Sequence, residues 1–130
     1  MLPTLGEIQM AIENGDVLAP EIIASLNHDA ILDARDDKDF SKEWMRSYNA
    51  INAAWSQFDA AAKCDGQLED IRRESFLLVS NATNQHELAS YVSDDFEVIA
   101  KTAATNTADS FVLSLWSAYT KQTVPTPQNT

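Results

Sequence analysis

DKDFSKEWMRSYNAINAAWSQFDAAAKC, residues 37–64, is the stretch whose reading decides the fold. Within it Trp44, Tyr48, Ile51, Trp55, Phe58 and Ala62 recur at alternating steps of four and three. That period places side chains on one face of an α-helix. The opposite face carries Lys42, Arg46, Asn49, Ala53 and Gln57, and Gly66 follows as a residue type that commonly closes helices. The spacing predicts one continuous helix over about 38–64, roughly 40 Å long at 1.5 Å per residue.

Upstream, Thr4-Leu5-Gly6-Glu7 has the spacing of a capping box, and Leu5, Ile8 and Ile12 follow on one face. A helix over about 5–14 ends at Asn14-Gly15. Pro20 suits a first helical turn, where its missing N–H is not needed. Ile22, Ile23 and Leu26 then form an apolar face. A straight helix from Pro20 to Asp37 would turn about 100° per residue and carry Asp29, Asp33 and Asp37 onto that same face. Charges would then enter the core, so a break near Asn27-His28 is required. Asp29 is the expected cap of a second short helix ending near Arg35.

Downstream, Asp65 can cap a helix over about 67–81 that is apolar around much of its girth (Leu68, Ile71, Phe76, Leu78, Val79). Asn84-Gln85-His86-Glu87 repeats the capping-box spacing ahead of Leu88, Val92, Phe96, Ile99 and Ala103. Thr107 is placed to cap a last helix with Phe111, Val112, Leu115, Trp116 and Tyr119 on one face. From Thr123 the chain is polar and holds Pro125 and Pro127, so residues 123–130 are expected to be a disordered tail beyond a helical domain spanning 1–122. The fold expected is all-α: a single-domain bundle of about five to seven helices around the long central helix 38–64, with neighbours joined by short loops running mostly antiparallel.

Composition agrees and also excludes. The chain has 130 residues, 45% of them hydrophobic, with three glycines and four prolines, which favours helices with short connections over many strands. A single cysteine, Cys64, rules out an intramolecular disulfide. No secretory leader is visible and the longest run of large apolar residues is Phe76-Leu77-Leu78-Val79, so a cytoplasmic protein without a membrane span is expected. The net charge is −11, from nine basic and twenty acidic residues. Arg72-Arg73 is the one adjacent basic pair, so direct nucleic-acid binding is not expected. A basic protein partner fits the charge, and so does simple solubility.

The familiar chemical patterns each fail at a named residue. A calcium loop starting at Asp37 would need Gly and Glu where Lys42 and Tyr48 stand. His86-Glu87 opens a zinc-protease pattern that Ser90 breaks. The other histidine, His28, has no Glu at the spacing of a di-iron motif. Cys64 sits at an expected helix C-terminus beside Asp65, where the field opposes a thiolate. The carboxylate pairs Asp94-Asp95 and Glu69-Asp70 are ordinary in an acidic chain. No catalytic residue, cofactor or metal ligand is therefore assigned, and an enzyme is the less favoured reading.

What remains is a surface. Residues 29–43 hold six acids (Asp29, Asp33, Asp36, Asp37, Asp39 and Glu43) against Arg35, Lys38 and Lys42. With Trp44, whose end of the aromatic stripe is a candidate for exposure at an interface, these acids are the expected contact for a basic partner. Small inhibitors and immunity-type proteins that cap a nuclease or toxin share this general character. Two alternatives stand beside it: a self-associating structural or assembly component, for example of a phage, and a carrier or enzyme with a pocket between helices near Trp55 or Trp116.

Overall fold

The computed structural model describes residues 2–130. Seven helices follow in order: α1 Leu5–Asn14, α2 Pro20–Ser25, α3 His28–Arg35, α4 Lys38–Ser56, α5 Ala61–Thr83, α6 His86–Ala104 and α7 Ser110–Thr120. Among the described residues there is no strand, and the domain is all-α as its periodicity requires.

Local signals set most of the ends. In α1 the Glu7 amide donates to Thr4 Oγ1 at 3.2 Å and the Thr4 amide donates back to Glu7 Oε1 at 3.0 Å. This satisfies two amides that the first turn cannot. Gly15 closes the helix in the left-handed conformation at φ 74°. The break between α2 and α3 falls where the buried-charge argument requires it, and Asp29, Asp33 and Asp37 are all exposed. Its cap is Asn27 rather than Asp29: Asn27 is extended (φ −81°, ψ 92°) and accepts from the Ala30 amide. Asp29 sits in the first turn, where its charge faces the positive end of the helix dipole.

The expected single helix over 38–64 is two helices. α4 starts at Asp37, whose side chain accepts from the Phe40 amide, and stops at Ser56. Its last fully buried residue is Ile51; Phe58 folds back on Trp55 with ring centroids 5.5 Å apart, and Ala62 is exposed. A straight rod would have carried the next apolar residues past the end of the bundle. The turn at 57–60 instead returns Leu68, Ile71 and Val79 of α5 to the core. α5 also runs through Asp65 and Gly66, so neither the expected stop nor the expected cap is used. Burial further along the helix offsets the roughly 1 kcal/mol that an interior glycine costs. Gly66 is exposed and a Cβ there would meet nothing within 4 Å. Gly66→Ala is accordingly expected to raise unfolding stability by about 0.5–1 kcal/mol. A shift of the urea midpoint upward at constant slope would show it, and a loss would mean that the residue serves a backbone need.

α6 is the central element, with Leu88, Val92, Phe96 and Ile99 fully buried. Asn84, at φ 55°, closes α5, and Gln85 stands at the head of α6 with no side-chain cap, so the expected capping box is not formed. Ser80 meets His86 at one end of the pair and Ser93 donates to the Arg72 carbonyl further along, so α5 and α6 run antiparallel. α4 runs parallel to α6, with Trp44 against Asp95 and Asn52 against Lys101. α7 is capped by Asp109, which accepts from the amides of Phe111 and Val112, not by Thr107.

Residues 123–130, expected to be disordered, are docked. Val124, Pro125 and Thr126 are buried. Asn129 closes the segment on itself, accepting from the Thr126 amide at 2.7 Å and donating to the Val124 carbonyl at 3.1 Å. Prolines that forbid a helix also reduce the freedom lost when an extended segment is fixed. Just before it, Gln122 accepts from the Ala19 amide and donates to the Gly15 and Asp16 carbonyls, which ties the C-terminal segment to the α1–α2 loop. That loop holds Leu18 at φ 56° with its side chain fully buried.

Candidate partner-binding face

The last residue of α3 turns inward. Arg35 makes a two-pronged ion pair with Asp95 of α6, both N–O distances being 2.8 Å, and donates to the Pro125 carbonyl at 3.1 Å. Asp95 has no exposed surface, and its oxygens are further occupied by the Trp44 indole N–H (2.8 Å) and the Tyr119 hydroxyl (2.6 Å). One carboxylate thus joins α3, α4 and α7 to the central helix, and its Arg35 partner adds the C-terminal segment. Phe40 and Tyr91 lie against the guanidinium, at 4.9 and 5.4 Å from ring centroid to Cζ. Burial works against the Arg35 charge, but the facing carboxylate outweighs it and holds the proton more firmly than usual. Burial, with the Asp95 charge second, pushes the Tyr119 phenol well above its ordinary value. It therefore stays a donor to Asp95.

A groove opens over this cluster. Its walls are Phe40, Ser41, Trp44 and Met45 of α4 and Tyr91 of α6; Arg35 also borders it, and Asp36 and Asp94 add carboxylates. The volume is about 250 Å³, below the roughly 300–1,000 Å³ usual for small-molecule sites. Trp44 is half-buried, stacked on Tyr48 with centroids 5.3 Å apart, while Met45 is 46% exposed. Burial chiefly raises the Asp94 pKa, Arg72 opposing this from 3.9 Å. Tyr91 is likewise raised, through burial and then the charges of Glu87 and Asp36.

The six acids of residues 29–43 are all exposed and lie on α3, α4 and the turn between them. Asp37 is committed locally as the α4 cap, and Glu43 pairs with Arg46 at 2.8 Å. The segment's bases divide: Lys38 and Lys42 are exposed, whereas Arg35 is withdrawn into the interior. Among the described residues no three His, Cys, Asp or Glu side chains are grouped as metal ligands would be. No helix among them is long and apolar enough to cross a membrane.

The model of the immunity protein PIM1 family matches residues 7–126, which spans α1 to the docked C-terminal segment. The chain belongs to this family. Immunity proteins bind and inhibit partner toxins, so a PIM1-family chain acts through a protein-binding surface. No curated protein matches the chain. The matched stretch includes every member of the Arg35–Asp95 cluster and all the residues bordering the groove.

That cluster is what the sequence reading missed, and a signal for half of it existed. Asp95 falls on the stripe Leu88, Val92, Asp95, Ile99, at steps of four, three and four. A carboxylate at an apolar register must find a partner inside or expose its helix. The identity of that partner had no counterpart signal, because Arg35 lies sixty positions away.

Proposed function

We propose that this PIM1-family protein neutralises its toxin by covering a basic surface on it with the acidic corner formed by α3 and the start of α4. The contact comprises Asp29, Asp33, Asp36, Asp37, Asp39 and Glu43, with Trp44 at the edge of the groove. The observation that supports this most is the withdrawal of Arg35. Within residues 29–43 six exposed carboxylates then stand beside two exposed bases, Lys38 and Lys42, with Arg46 engaged on Glu43 just beyond. Charge of this density steers association with an oppositely charged partner and makes it depend on salt. The exposed Met45 beside it supplies apolar area of the kind that interface centres bury.

The test is a titration calorimetry series against the cognate toxin in catalytically inactive form. Asp33→Lys with Asp39→Lys reverses two charges without touching the α4 cap, and is expected to weaken binding by tenfold or more, about 1.4 kcal/mol. The loss should show mainly as slower association and a shallower salt dependence. Binding that ignores both the double reversal and the salt concentration would overturn the proposal. The uncharged pair Asp33→Asn with Asp39→Asn should fall between.

A further inference from the structure

We infer that the groove between α4 and α6 receives one arginine side chain of the partner, as the anchor of the interface. This rests on the reading above and adds the chemistry that fills one particular place. The groove is too small for a drug-sized ligand but suits a single long side chain. Its walls are apolar along Phe40, Trp44 and Met45, which matches an aliphatic stem, and its carboxylates, Asp36 and Asp94, match a cationic head. A third acid, Glu87, also acts on Tyr91, with Arg35 opposing it, so it adds to the two carboxylates on the border. Of the cations nearby, Arg35 is already neutralised by the two-pronged contact with Asp95 and Arg72 reaches Asp94 only at 3.9 Å, so the acidic border is only weakly compensated. Arginine fits better than lysine because its planar, weakly hydrated head tolerates aromatic surroundings. Neither acid is committed to a strong contact: among the described residues Asp36 makes no side-chain ion pair, and Asp94 meets Arg72 only at 3.9 Å. An anchor of this type, held by aromatic walls near the centre of a contact, is where binding energy concentrates.

The probe is N-acetyl-arginine amide, titrated into the isotopically labelled full chain while the Trp44 indole N–H and Tyr91 ring resonances are followed. Saturable shifts in the millimolar range are expected. They should be absent for N-acetyl-norleucine amide and for the Asp36→Asn/Asp94→Asn chain, whose spectrum reports that it is folded. Three results would overturn the inference: no saturable shift with the arginine probe, equal shifts with norleucine, or shifts with N-acetyl-glutamate amide instead, which would assign the groove to Arg35 as an anion site. These outcomes are separable from those of the charge-reversal series. Toxin binding that is salt-sensitive while the probe does not bind removes the anchor alone. Probe binding alongside toxin binding indifferent to Asp33→Lys/Asp39→Lys removes the acidic-corner reading alone.

Discussion

Asp95→Ala is expected to cost about 3–5 kcal/mol of unfolding stability, the penalty for stranding one member of a buried ion pair. Small domains have only some 5–15 kcal/mol in total, so the variant should stand near the edge of folding in urea titrations. The size of the effect follows from what is stranded. Arg35 would keep its charge in a site where its side chain is 6% exposed, and the Tyr119 hydroxyl, inside a fully buried residue, would lose its acceptor. Asp95→Asn keeps an acceptor oxygen but not the charge, so it should lose less than Asp95→Ala. Replacing both ions with Arg35→Met/Asp95→Leu should recover much of the loss, because a well-packed apolar pair removes the unpaired charge. Adding Tyr119→Phe should recover more, by removing the orphaned hydroxyl. If Asp95→Ala stayed within about 1 kcal/mol of the parent, as ordinary substitutions do, the carboxylate would not be the tie between helices that its four contacts indicate. The recovered triple variant also separates stability from function. It restores packing but removes the contact that sets Trp44 against α6, so any remaining loss of toxin affinity measures how far the cluster positions the acidic corner.

The same cluster explains which parts of the fold were legible from the sequence. Features governed by neighbours in the chain could be read directly. The Thr4–Glu7 box, the Gly15 stop and the α2–α3 break depend on residues within one or two turns of each other. The apolar stripes of α4 and α6 likewise announced helices, and the acidity of residues 29–43 could be counted. Features governed by distant partners could not. The α4 stripe continues through Phe58 and Ala62 at helical spacing, and only the need to return Leu68 and Ile71 to α6 turns the chain at 57–60. Gly66 is a permissive residue, so its presence does not oblige a helix to end. Arg35 was counted as a surface base because nothing near it in sequence says that it is buried. Its removal makes the exposed corner more acidic than the composition indicates.

The C-terminal segment gives the sharpest contrast between local and distant signals, and the second large effect. By composition residues 123–130 are a polar, proline-bearing end. In the structure they supply a buried valine and one of the acceptors of the buried guanidinium. Ending the chain after Thr123 should therefore destabilise it markedly. Val124 is 1% exposed, and burying a side chain of that size contributes about 1.5–3 kcal/mol. The Pro125 carbonyl accepts from a charged donor, a contact that contributes about 1.5–3 kcal/mol. Water admitted to the opened site would return part of the second contribution, so a loss of about 3 kcal/mol is expected overall. Two further chains divide it. Val124→Ala should lose only the burial share, and truncation after Thr126 should keep both contacts while losing the closing hydrogen bonds of Asn129. Equilibrium unfolding gives the free energies, and hydrogen exchange at α3 and α6 amides shows where the loosening falls. A chain ending at Thr123 with the parent's urea midpoint would show that the segment rests on the domain without holding it. A chain that loses stability, with exchange rising first in α3, would show that the last residues keep Arg35 withdrawn and so keep the acidic corner free of its third base.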